Sequence, residues 1–136
     1  MKTSLPYLFI FSVFVTTRTT QANEALHDKV LQDLQSEGFI VGEAYGYYNG
    51  VKEISLVMLT PDNSQQTIER YENVARALSL KYAQECYLVA DNERRASLVL
   101  PGTGDKKAVG QFQELASVIG LPSYTTFNGR NYGTIH

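Results

Sequence analysis

Apolar residues are spaced in three different ways along this chain, and each spacing predicts a different element. From Leu5 to Val15 they are almost continuous, behind the single charge of Lys2 and ahead of the polar stretch Thr16 to Ala22. A run of that length is too short to span a bilayer as a helix, and Thr20-Gln21-Ala22 offers small side chains for a cleavage site, so residues 1–22 read as an export signal. The other reading of the same run is an uncleaved anchor. From Glu24 to Glu37 the apolar positions Leu26, Val30, Leu31 and Leu34 recur at helical spacing, and Gly38 closes the segment. Phe39 to Tyr48 and Val51 to Leu59 are rich in β-branched and aromatic residues and flank Asn49-Gly50, the pair best suited to a tight hairpin turn. Leu56-Val57-Met58-Leu59 does not alternate, which predicts a central strand covered on both faces.

The pattern then returns. Ile68, Tyr71, Ala75, Leu78 and Tyr82 predict a second helix, and Cys86 to Ala90 with Ala96 to Leu100 predict a second hairpin across Asp91-Asn92-Glu93. After Pro101-Gly102-Thr103-Gly104 a third helix is expected from about Asp105, with Val109, Phe112, Ala116 and Ile119 as its apolar stripe and Gly120-Leu121-Pro122 as its end. The tail from Tyr124 to Ile135 turns at Asn128-Gly129.

Local identities run in phase with this order. Glu43-Ala44-Tyr45 matches Glu85-Cys86-Tyr87, and Ser55-Leu56-Val57 matches Ser97-Leu98-Val99 at the same offset. Residues 39–80 and 81–121 therefore read as two copies of a hairpin-helix unit, with a partial third copy over 122–136. The expected fold is α+β: duplicated ββα units forming an antiparallel sheet with helices mainly on one face, preceded by an N-terminal helix, all within one domain over 23–136. One short resemblance accompanies it. Ala75 to Leu88, with Lys81-Tyr82-Ala83-Gln84-Glu85 leading from helix to strand, resembles a pattern in some uncharacterised bacterial and phage-associated domains, and implies no particular activity.

Charge and composition narrow the chemistry. The net charge is −2 and no basic run is present, which argues against nucleic acid as a partner. The single cysteine, Cys86, excludes an internal disulfide, and its apolar surroundings suit an inert thiol. Only two histidines occur, His27 and His136, so no metal-ligand spacing is recognisable and neither metal nor cofactor is expected. His27-Asp28 reads as an exposed pair on the first helix.

Three features remain as candidate sites. The loop Gly102 to Lys107, with Gly102, Gly104 and Lys106, could hold an anion at a helix N-terminus, although it lacks the P-loop ending and Asp105 suits a helix cap. Glu43 and Glu85 occupy equivalent places in the two copies, as a carboxylate pair for acid-base chemistry would. The nine tyrosines are the clearest surplus. Tyr71, Tyr82 and Tyr87 suit the core, whereas Tyr45, Tyr47 and Tyr124 suit a surface that meets another protein. The expected function is an exported, periplasmic or secreted, binding module or inhibitor. The alternative is a small exported enzyme or ligand-binding protein using Glu43/Glu85 or the Gly102–Lys107 loop.

Overall fold

The computed structural model describes residues 5–48, 51–114, 124–127 and 130–135. Among these residues two helices and eight strands follow in the order β1 (Leu8–Phe11), α1 (Thr20–Ser36), β2 (Val41–Tyr48), β3 (Val51–Leu59), α2 (Gln65–Lys81), β4 (Tyr87–Ala90), β5 (Arg95–Val99), β6 (Lys106–Glu114), β7 (Tyr124–Phe127) and β8 (Arg130–Ile135). All strand pairs are antiparallel, and the order β1-β3-β2-β7-β8-β6-β5-β4 closes on itself as a barrel through β1 and β4. Closure removes the unpaired edges that an open sheet would present. The expected open sheet of duplicated units is thus corrected to a closed barrel carrying two helices.

Two apolar layers hold it together, and strand alternation assigns residues to them. Phe9 and Phe11 of β1, Leu56 and Met58 of β3, and Tyr87 and Val89 of β4 face outward and pack under the helices with Val30, Leu34, Tyr71 and Ala75. Their neighbours Leu8, Val57, Ala90 and Ala96 turn inward to the lumen with Phe112. Leu56 to Leu59 therefore lacks alternation because both of its faces are covered, as the sequence predicts.

Each helix begins on a side-chain cap. Thr19 Oγ1 accepts from the Ala22 amide at 3.1 Å, and Ser64 Oγ accepts from that of Thr67 at 3.2 Å. Gly38, at φ +89°, lets the chain leave α1 and re-enter the sheet. The buried positions of α1, Asn23, His27, Val30 and Leu34, form the stripe facing the barrel.

The apolar run read as a removable leader is built into this structure. Its strand β1 lies between β3 and β4, with Leu8 opposite both Leu59 and Ala90. Phe9, Phe11 and Val13 are almost wholly buried.

The expected third helix is also corrected, since Lys106 to Glu114 is a strand. Ser97 pairs with Ala108 and Ala96 with Gly110, so Val109 is an extra residue on β6 and Gly110 takes φ +102°. This bulge reverses the alternation, and Val109 and Phe112 both face the lumen although three residues apart. A three-residue spacing that reads as helical thus arises from a kinked strand. The second copy of the repeat therefore has a strand where the first has α2. Ala116 and Ile119, and the turn pairs Asn49-Gly50 and Asn128-Gly129, lie outside the described residues. Among the described residues no helix is long and apolar enough to cross a membrane.

Candidate functional site

Three segments meet beside α1 to form the site, and the chain between β1 and α1 is the most firmly tied of them. Asn23, at the start of α1, donates from Nδ2 to the Val15 carbonyl at 2.9 Å and accepts from the Val15 amide at 3.2 Å. Gln84 Nε2 donates to the Phe14 carbonyl at 2.8 Å, and Ser12 Oγ donates to the Ile54 carbonyl at 3.2 Å. These bonds position Phe14, whose ring meets that of His27 edge-on with centroids 6.3 Å apart.

His27 is 1% exposed, which corrects the expectation of a solvated pair with Asp28. Its Nε2 lies 2.9 Å from Oε2 of Glu43 on β2, while its Nδ1 is buried without a partner. Glu43 is 40% exposed, so one end of the pair is dry and the other reaches solvent. The pair opens into a cleft of about 510 Å³ that is also lined by Phe14, Glu24, Asp28, Tyr45 and Glu53. That volume lies within the range of small-molecule sites, roughly 300–1,000 Å³. Among the described residues that line it there are four carboxylates and neither Lys nor Arg. Burial raises the Glu53 carboxyl above its ordinary value, because desolvation disfavours the charged form.

One ligand-type atom each from His27, Asp28 and Glu43 lies within 4.8 Å of the others. The donors are of the kind that hold divalent cations, although exposed acidic groups often cluster without one.

The sequence candidates divide across the structure. Tyr45, 49% exposed, lines the cleft with Glu43. Tyr47 and Tyr124 stand opposite one another in the β2–β7 ladder. Glu85 is exposed in the α2–β4 connection and lines neither the cleft nor the lumen, so the proposed carboxylate pair is not assembled there. In the loop, Gly102 and Gly104 belong to a turn before a strand, so no helix N-terminus faces an anion. Lys106 lies 3.5 Å from Glu72, and Arg76 Nε donates to the Pro101 carbonyl at 2.8 Å.

Cys86 is half-buried in the lumen wall, and its thiol is pushed up first by burial and then by the charges of Glu85 and Glu53, which favours the neutral thiol over the thiolate. Of the residues lining the cleft, only Glu43 and Tyr45 are candidates from the sequence. His27 and Glu53 carry no motif, and the available signal was the position of His27 on the inward stripe between Asn23 and Val30.

Comparison with curated proteins gives no match. Residues 9–135, from β1 through β8, match the model of the S-adenosylmethionine lyase family.

Proposed function

Since this chain belongs to the S-adenosylmethionine lyase family, we propose that it breaks a carbon–sulfur bond of S-adenosylmethionine in the cleft between α1 and the β2–β3 hairpin. The observation that carries this reading is the charge of the cleft: Glu24, Asp28, Glu43 and Glu53 surround a space lined by the aromatic residues Phe14 and Tyr45. Carboxylates and ring faces are the groups that attract a sulfonium cation. Membership of an enzyme family overturns the expectation of an exported module that only binds a partner. It supports the enzyme alternative, with Glu43 retained and Glu85 set aside.

A lyase cleaves without water or an external oxidant, so the electron pair of the broken bond goes to sulfur and leaves a neutral thioether. The carbon that loses sulfur must gain a bond in the same step. His27 Nε2 is already committed to Glu43 and its Nδ1 is buried, so neither nitrogen is placed as a free base. The substrate's own carboxylate meets no Lys or Arg among the described lining residues, and its attack on the γ-carbon balances the step. The C–O bond forms as the C–S bond breaks, giving a five-membered lactone and 5′-methylthioadenosine with no proton transferred. A partly desolvated site favours this step, because the attraction between the substrate's own anion and cation grows as water is excluded. Glu43, oriented by His27, and Glu53 hold the sulfonium while the ring closes.

Incubation of the protein with S-adenosylmethionine, followed by chromatography and mass spectrometry, tests the reading. Both products are expected, and Glu43→Gln and Glu53→Gln should each lower kcat/KM by about 10- to 100-fold. Absence of C–S cleavage, or full activity in both variants, would refute the assignment.

A further inference from the structure

We propose that the end of the barrel lumen remote from Glu53 is a second binding site, which takes a small apolar carboxylate with its chain inside the barrel and its head group on Arg94. The register of the strands defines that end. Leu8 stands opposite both Leu59 and Ala90, and Glu53 lies six residues before Leu59 on β3, roughly 20 Å away along the strand. A cavity of about 270 Å³ opens there among Leu8, Val57, Leu59, Phe112 and Tyr132, all of the inner apolar layer. Eight-stranded barrels are the size at which the interior is either filled or holds one small ligand. Apolar walls take an apolar body, and the few polar groups among them decide which end of a ligand is held.

Arg94 is the one charged residue among the described residues that line this cavity. It belongs to the β4–β5 turn and stands at φ +63°, a conformation that costs a non-glycine residue free energy and here fixes the origin of the side chain. Its amide donates to the Asp91 carbonyl at 2.9 Å and its carbonyl accepts from the Phe112 amide at 2.8 Å, so the backbone is held on both sides. Nη1 donates to the carbonyls of Pro6 and Asp91, acceptors that do not neutralise the charge. The Asp91 carboxylate accepts instead from the amides of Glu93 and Arg95, and among the described residues no carboxylate forms an ion pair with Arg94. Burial holds the guanidinium below its ordinary value, against the pull of Asp91 and Tyr132.

A half-buried cation at the mouth of an apolar cavity selects its ligand by exclusion. A polar anion would leave the apolar walls wet, and an apolar amine would meet a like charge. A carboxylate on an apolar chain satisfies both, because the guanidinium fork matches its two oxygens. Leu5, 43% exposed, carries the apolar wall out to the surface at the same mouth.

The inference does not depend on the lyase reading, and its test uses no sulfonium. Octanoate, octan-1-ol and octylammonium, which share a chain and differ in head group, are titrated into the full chain while methyl signals are followed by NMR. Octanoate is expected to shift the methyls of Leu8, Val57 and Leu59 with a Kd below about 1 mM, at least about tenfold tighter than octan-1-ol, and octylammonium should bind weakest. Arg94→Gln should weaken octanoate by about tenfold and leave octan-1-ol within about twofold, whereas Arg94→Lys should keep part of the preference. Thr125→Leu, which fills the cavity from β7, should weaken octanoate and octan-1-ol alike by about tenfold, and it decides the matter if Arg94→Gln does not fold. The assignment is overturned if octanoate causes no shifts up to about 10 mM, or if octylammonium binds as well as octanoate. Shifts confined to Val30 and Leu34 under the helices, or a folded Thr125→Leu variant with unchanged octanoate binding, would overturn it equally.

Discussion

At the scale of single residues, Glu53 ties the stability of the protein to pH. Burial raises its carboxyl above the ordinary value of 4.5, so the folded state holds the proton more tightly than the unfolded chain does. Its favourable contribution is complete below that ordinary value and is lost as pH rises through the raised one. Glu53→Gln is therefore expected to raise Tm at neutral pH by roughly 1–3 °C, a small shift because the group is only partly desolvated. The gain should shrink to nothing as the solution is acidified below 4.5, and melting curves across that range check the sign. Substrate binding should move the opposite way, weakening as Glu53 takes up a proton and loses its charge. His27 separates packing from polarity in a similar manner. His27→Ala removes a buried ring and is expected to cost about 2–4 kcal/mol in urea unfolding. His27→Phe keeps the volume, dispenses with the unpartnered Nδ1, and should retain most of the stability while losing the orientation of Glu43, and with it cleavage activity.

At the scale of elements, both helices and the β2–β3 and β4–β5 hairpins are legible in the sequence because their residues obey one local period each. The failures lie where a local period is produced by something non-local. Val109 and Phe112 share a face through the bulge at Gly110, which depends on the register of β6 against β5, a distant pairing that no window of sequence contains. Gly110 is the residue that makes this possible, at φ +102°, where a β-branched side chain is strained. Gly110→Val is expected to lower stability by about 1–3 kcal/mol, measured by chemical denaturation. An unchanged midpoint would mean that β6 runs without the bulge. The site was legible only in part, for a related reason. Glu43 and Tyr45 attract notice as members of a repeated triplet, but the significance of Glu43 comes from His27, which lies on another element, and Glu53 differs from other exposed-looking acids only through burial at the barrel mouth.

At the scale of the whole molecule, barrel closure depends on the segment whose composition most resembles a leader. An apolar run preceded by Lys2 and followed by small polar residues satisfies the requirements of an export signal, and the same run satisfies those of a strand covered on both faces, because both need continuous hydrophobicity. In the barrel β1 is hydrogen-bonded to β3 on one side and β4 on the other, and it supplies Phe9 and Phe11 to the outer core and Leu8 to the lumen. A chain beginning at Asn23 would lose all of these, together with the Thr19 cap of α1 and the Val15 bonds of Asn23. Both β3 and β4 would acquire an open edge, the arrangement that favours pairing with other chains. Burying one large apolar side chain is worth about 1.5–3 kcal/mol, so losing Phe9, Phe11 and Val13 removes an amount comparable with the whole stability of a small protein, about 5–15 kcal/mol. The truncated chain is therefore expected to lack a cooperative unfolding transition and to aggregate, whereas the full chain melts in one step. Calorimetry and light scattering on the two proteins distinguish these outcomes. A truncated chain that melts cooperatively near the temperature of the full one would show that the remaining strands close without β1, and that the apolar run is dispensable to the barrel.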